Sequence, residues 1–164
     1  MKIVRKRRRA ENKTDYNARF VMLKGNMGRI VFRKTNRHII GQYIKSNAAQ
    51  DSIVKGTDSK ALLKYGWPKA AEGSLKSTPA AYLTGLLLGK MVIEKEGKTK
   101  AMFDIGLQKN APRSRMYAFL KGVVDSGVNI NCDPAVFPDE ARLLGRHMKQ
   151  NIPVEKIKEK IKND

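Results

Sequence analysis

Side chains able to do acid–base, nucleophilic or metal chemistry are few in this sequence and far apart. His38 and His147 fall in unrelated segments, and neither has a Cys or acidic neighbour at ligand spacing. Cys132 is the only cysteine, so a Cys-rich zinc site is excluded, as is an intramolecular disulfide. Residues 85–90 bear a loose likeness to a phosphate loop. However, three residues rather than four separate Gly85 from Gly89, and Met91 follows Lys90 where the loop needs Ser or Thr. Asp104, Asp125 and Asp133 are the sharpest enzymatic candidates, as donors of a two-metal nuclease site. Their spacing is not diagnostic, and Asp125 and Asp133 fall naturally near a helix end and in a turn. The sequence therefore calls for no enzyme, no cofactor and no metal.

The chemistry that remains is that of cations. Lys and Arg total 34 against 15 acidic residues, a formal net charge of +19 with a pI near 10.2. Self-repulsion of that size opposes compaction and calls for a polyanionic partner. The charge is also segregated. Residues 1–50 hold 14 basic and 2 acidic residues, and residues 16–50 hold seven basic residues and no acid. Uniform solubilising charge would not separate in this way, whereas a binding surface would. Guanidinium groups fork onto phosphate oxygens, and each neutralised phosphate releases counterions.

Several elements must position these cations. Residues 2–9 carry six basic residues in eight and read as an arm, disordered in free protein, that folds on its partner. Thr14 and Asp15 are N-caps for a short helix over 16–23, stopped by Gly25. Strands are predicted over 29–34, 38–45 and 52–57, the first two joined by Thr35, Asn36 and Arg37 as an antiparallel hairpin. Arg29 and Arg33 alternate to one face of the first strand, and Asn36, Arg37 and His38 offer donors at the turn. Tyr16 and Tyr43 have rings able to stack on bases, although packing within the fold is the better reading for each. Residues 58–77 read as a loop with a helical turn around 61–65.

The rest of the chain reads as scaffold. Thr78-Pro79 opens a helix to Glu96 with Thr78 as cap, and Gly85 and Gly89 on one face imply close approach to another backbone. A buried strand over 101–107 follows, placed parallel to an earlier strand by the right-handed crossover rule. Met116, Phe119, Leu120, Val123 and Val124 mark an amphipathic helix ended by Gly127. A third helix runs from Asp139-Glu140 to Arg146, His147 and Lys149, and a last one carries Val154, Ile157 and Ile161 on a narrow stripe. The fold class is α/β: a small mixed sheet packed against helices, with a basic N-terminal arm and C-terminal helices. The expected division is 1–13 arm, 14–131 α/β domain and 132–164 helical extension. The apolar stretch 80–93 is shorter than the roughly 20 residues of a membrane span, and no secretory leader is visible.

These residues resemble a family. The Arg-rich run with Lys13-Thr14-Asp15-Tyr16-Asn17-Ala18-Arg19, the turn Thr35-Asn36-Arg37-His38-Ile39, and Tyr65-Gly66-Trp67 look like segments of the archaeal and eukaryotic branch of universal large-subunit ribosomal protein eighteen. Ala80-Ala81-Tyr82-Leu83-Thr84-Gly85-Leu86-Leu87, Asp104-Ile105-Gly106-Leu107 and residues 119–127 continue the likeness in order. The resemblance implies a structural protein of the cytoplasmic ribosome that binds 5S rRNA in the central protuberance. Large-subunit rRNA and the neighbouring 5S-binding ribosomal protein are the other implied partners, with no membrane and no DNA. RNA contacts are then expected from Arg5, Lys6, Arg7, Arg8, Arg9, Lys13, Thr14, Tyr16 and Arg19 in the arm and first helix. Arg29, Arg33, Lys34, Asn36, Arg37 and His38 supply the hairpin contacts. Where relatives often carry a Pro-His pair after Ile130, this chain has Asn131-Cys132-Asp133, and the region after Pro138 is shorter than in many of them. A metal-dependent nuclease, a membrane-surface protein and a general RNA chaperone are the rival readings.

Overall fold

The computed structural model describes residue 4, residues 6–148 and residues 152–164. Arg5 and Lys149, both assigned roles above, lie outside the described residues. The elements are α1 (Arg7–Ala10), α2 (Tyr16–Lys24), β1 (Gly28–Lys34), β2 (Ile39–Asn47), β3 (Gln50–Asp58), α3 (Thr78–Glu96), β4 (Ala101–Asp104), α4 (Arg115–Asp125), α5 (Glu140–Leu143) and α6 (Val154–Asn163). Short 3₁₀ turns lie at Ser59–Leu63, Lys69–Ser74 and Pro134–Val136.

The sheet runs β3-β2-β1-β4, with β1–β2 and β2–β3 antiparallel and β1–β4 parallel. The crossover expectation holds. The β1–β2 register pairs Ile30 with Tyr43 and Phe32 with Gly41, so one face of the sheet is apolar and almost fully buried. Phe119 of α4 occupies the space over Gly41, where a Cβ would stand 2.7 Å from its ring. Its ring centroid lies 5.2 Å from that of Phe32 and 6.4 Å from that of Phe103. Helix α3 is buried along most of its length, as befits an apolar helix packed on several sides. It touches the sheet, α4 and α6.

Four expectations are corrected. Ser77, not Thr78, is the N-cap of α3, because its carbonyl accepts the first intrahelical bond from Ala81 N (3.0 Å) and Pro79 is the second helical residue. Strand β4 stops at Asp104 rather than 107, because the Asp104 carboxylate accepts Gly106 N (2.8 Å) and Gly106 turns the chain at φ 60°. Leu107 is consequently exposed. The helix expected from 139 onward is only α5, since Gly145 adopts φ 77° and Arg146 N returns to Ala141 O. Strands β2 and β3 are longer than expected and meet in a tight turn at Ala48 and Ala49, both at positive φ (48° and 67°). Two alanines there lack the Asn-Gly or Asp-Gly signature of that turn and sit under backbone strain.

Candidate nucleic-acid interface

The outward face of the sheet carries Arg29, Val31 and Arg33 on β1, opposite Ile44, Gln42 and Ile40 on β2 and beside Asp104 on β4. Helix α2 sits near this face: the Met102 side chain stands 3.2 Å from where a Cβ of Gly25 would be. Asp15 caps α2 by accepting Asn17 N (2.9 Å) and Ala18 N (3.2 Å), as the sequence implied for this position. A cleft of about 240 Å³ lies between the arm and the sheet, with Arg8, Lys13, Thr14, Arg19 and Arg33 among its walls.

The predicted arginines divide into two groups by what they touch. Arg29 is 3 % exposed. It donates to Asp104 Oδ2 (3.1 Å), Asp51 Oδ1 (2.7 Å) and Ser46 Oγ (3.0 Å), so it is fully occupied inside the protein and offers nothing to an outside phosphate. Arg19 donates to Asp51 Oδ2 (2.8 Å) and to Ala49 O (3.1 Å), which ties α2 to the strained β2–β3 turn. Arg33 is half-exposed. It donates to Phe32 O (2.8 Å) and stands 3.7 Å from the Asp104 carboxylate. Asp51 gathers two of these cations. Burial alone would raise its pKa, but hydrogen bonds from Arg19, Ser46 and Arg29 outweigh that and hold it at about 2.

The second group points outward. Arg7, Arg8 and Arg9 are exposed on α1, a single turn that buries nothing. Arg8 Nε donates to Thr14 Oγ1 (2.9 Å), while Glu11 pairs with Arg7 and Lys13 (3.8 and 2.9 Å). Lys6 lies over the Tyr16 ring, 4.6 Å from its centroid. At the hairpin, the Thr35 hydroxyl accepts His38 N (2.9 Å) and Arg37 N (3.3 Å) and donates to His38 O (2.7 Å). That closes the turn and leaves Lys34, Asn36 and Arg37 exposed, with His38 half-buried. Tyr43 is 1 % exposed beneath the sheet, so of the two tyrosines only Tyr16 keeps part of its ring at the surface. A cleft beside the turn adds Lys60 and Lys76. No periodicity links these two lysines to the hairpin in the sequence, because only folding brings residues 60 and 76 beside residue 37.

The carboxylates weighed as a nuclease site serve other ends. Asp104 holds Arg29, Asp125 accepts from the Tyr82 hydroxyl (3.0 Å) and pairs with Lys121 (2.8 Å), and Asp133 caps the turn at Pro134–Val136. Burial and the neighbouring Asp125 push the Tyr82 hydroxyl well above the usual tyrosine range. Burial also raises the Cys132 thiol. Among the described residues no group of three or more His, Cys, Asp or Glu is placed to hold a metal, and no helix is long and apolar enough to cross a membrane.

An α/β scaffold whose Asp51 and Asp104 brace its own arginines while a basic arm and hairpin face outward has the surface of a nucleic-acid-binding protein. The family model for ribosomal large subunit proteins 60S L5 and 50S L18 matches residues 2–101, and the chain belongs to that family. It is 45% identical over 145 residues to large ribosomal subunit protein uL18 of Korarchaeum cryptofilum, covering 88% of this chain and 72% of that one. Against the protein of the same name from Methanococcoides burtonii it is 41% identical over 162 residues, covering 94% and 91%. Against that of Methanothermobacter thermautotrophicus it is 43% identical over 142 residues, covering 87% and 71%. The chain is thus of a family of structural, RNA-binding components of the large ribosomal subunit, which works in translation and is not enzymatic.

Proposed function

We propose that this protein binds 5S rRNA and helps anchor it to large-subunit rRNA in the central protuberance of the cytoplasmic ribosome, beside the neighbouring 5S-binding ribosomal protein. In this reading residues 1–13 act as the arm, 14–131 as the RNA-binding domain and 132–164 as an extension. Arg5, Lys6, Arg7, Arg8, Arg9 and Lys13 neutralise phosphates, Tyr16 offers a stacking ring, and Thr14 orients the arm. Lys34, Asn36, Arg37 and His38 supply the hairpin contacts. Arg19 and Arg29 act as supports that hold α2 and the sheet in place, and Arg33 contributes its half-exposed edge. The observation that carries the reading is the exposed, acid-poor arm that shares a cleft with a sheet face whose own cations are already paired.

The test is binding of labelled 5S rRNA against an unrelated structured RNA of similar length, titrated with salt. With on the order of 6–10 phosphate contacts, affinity falls ~10³–10⁵-fold between 50 and 200 mM salt. 5S rRNA should win the competition, and neutralising Arg5, Lys6, Arg7, Arg8 and Arg9 together should abolish the preference. Equal binding of both RNAs, or an affinity indifferent to salt, defeats the proposal.

A further inference from the structure

Cations that the protein does not neutralise itself gather at one end of the sheet. β1, β3 and β4 all run in one direction, so their carboxyl ends and the β1–β2 turn lie together. Open α/β sheets hold ligands in crevices at that end. Two clefts flank the turn there. The first, about 480 Å³, is lined by Arg37, Lys60 and Lys76, with Glu72 its only carboxylate. The second, about 420 Å³, has Arg33, Lys34, Lys109 and Arg115 in its walls and no carboxylate. They adjoin on both sides: Lys34 and Arg37 share the turn, and Arg115 Nη1 donates to Lys76 O (3.0 Å).

The contrast with the outward sheet face decides the matter. There Arg19, Arg29 and Arg33 are taken up by Asp51 and Asp104. Here, of the seven cations in the two walls, only Arg33 enters an ion pair among the described residues, and of the other six all but Arg115 are exposed. Six like charges around two adjoining clefts repel one another unless a polyanion lies between them. A single small anion would neutralise one cleft and leave the other. A row of phosphates crossing the turn serves both.

We propose that the carboxyl end of the sheet is a second RNA-docking surface, over which a phosphodiester backbone runs from the Lys60 and Lys76 cleft, across the turn, to the Lys109 and Arg115 cleft. Asn36 and His38 stand at the crossing, where riboses and unpaired bases are within reach of polar side chains. This rests on the RNA-binding reading above and adds Lys60, Lys76, Lys109 and Arg115 to the residues that perform it. The strand belongs to 5S rRNA, because the turn it crosses, Asn36, Arg37 and His38, lines the first cleft and already supplies contacts to that RNA in the reading above.

The test uses the full chain carrying K60Q/K76Q/K109Q, with Arg115 kept because its guanidinium holds Lys76 O. A control, K98Q/K156Q/K162Q, removes the same charge from exposed positions elsewhere. Each protein is titrated with salt against 5S rRNA and, separately, against large-subunit rRNA, after a thermal melt has shown an unchanged fold. Should the triple variant melt early, K60Q and K109Q are compared singly. The expected result is that, on 5S rRNA, the cleft variant flattens the plot of log affinity against log salt by about 2, the sum of three lost phosphate contacts. The control should change it by less than half as much. A change confined to large-subunit rRNA overturns the assignment of the strand to 5S rRNA. Equal slopes for cleft variant and control on both RNAs overturn the second surface. Wild-type protein that binds neither RNA overturns instead the function beneath it, and does so before any variant is compared.

Discussion

Asp51 sits between a half-buried guanidinium from α2 and a buried one from β1, and its carboxylate gives the buried Arg29 charge a partner 2.7 Å away. Its pKa is about 2 when folded against 3.8 when unfolded, so its contribution is fully present above about pH 4 and lost as pH falls toward 2. Asp51→Asn should lower stability at pH 7 by about 1 kcal/mol, a small figure because solvent reaches the carboxylate. In urea melts from pH 5 down to pH 2, the gap between wild type and variant should close; a gap that persists at pH 2 contradicts the assignment. Asp104→Ala should cost more, about 3 kcal/mol, because it strips a partner from a buried arginine. Restored stability in an Arg29→Met/Asp104→Leu double variant would confirm that pairing, rather than charge as such, is what the site needs. At this scale the sequence was legible in part. The alternation that put Arg29 and Arg33 on one face was readable, and it is what the register shows. What consumed Arg29 was not readable, because Asp51 and Asp104 reach it from strands 22 and 75 residues away in sequence.

The helices are where the sequence spoke most plainly, and where one packing feature can be tested cleanly. Gly85 and Gly89 lie one turn apart, and α4 passes directly against them. A Cβ at Gly85 would stand 2.0 Å from Phe119 O, and one at Gly122 would stand 2.1 Å from Tyr82 O. Two backbones in contact through glycine leave no flexible atom to move aside. Gly85→Ala and Gly122→Ala should therefore each cost about 3 kcal/mol, at the upper end of overpacking. Gly73→Ala meets nothing within 4 Å and should stay within about 0.5 kcal/mol of wild type. Similar melts for all three would mean that the α3–α4 contact is looser than it looks. The glycine spacing announced this contact because it fits no other need of a helix. The end of α5 was hidden for the opposite reason: Gly145 breaks a helix only when the chain after it turns away, and residues 139–149 carry enough polar and apolar alternation to pass for a longer one. The 3₁₀ turn at Ser59–Leu63 was readable as a helical turn two residues further on, whereas that at Lys69–Ser74 lacks a period to read; both are held by tertiary burial of Leu62, Trp67, Ala71 and Leu75.

At the scale of the molecule, one apolar core among the described residues runs from the inner sheet face through α3 and α4 to α6, whose Val154, Ile157 and Ile161 are buried in it. The stripe on α6 was visible at helical spacing, but its seat was not. Lys90 Nζ donates to Ile161 O (2.9 Å), and the Tyr65 hydroxyl donates to Asp164 Oδ2 (2.7 Å). That last bond, aided by burial, raises the Tyr65 pKa to about 12. The core holds against a net charge of +19 whose repulsion acts over the whole surface. The charges meant for RNA make the free protein less stable than its packing alone would allow. Salt separates these two contributions, since the Debye length shrinks from roughly 30 Å at 0.01 M to about 10 Å at 0.1 M while the buried Arg29 pairs are screened little. The free protein should therefore melt about 2–4 °C higher in 0.1 M than in 0.01 M salt, as expected for relief of about 1 kcal/mol at this size. Saturating 5S rRNA at low salt should raise the melt further, by the linkage of binding to folding, about 2.7 kcal/mol at a hundredfold excess over Kd. A melting temperature that falls as salt is added would mean that the exposed ion pairs of the arm outweigh the repulsion, and that the cationic surface costs the free protein nothing.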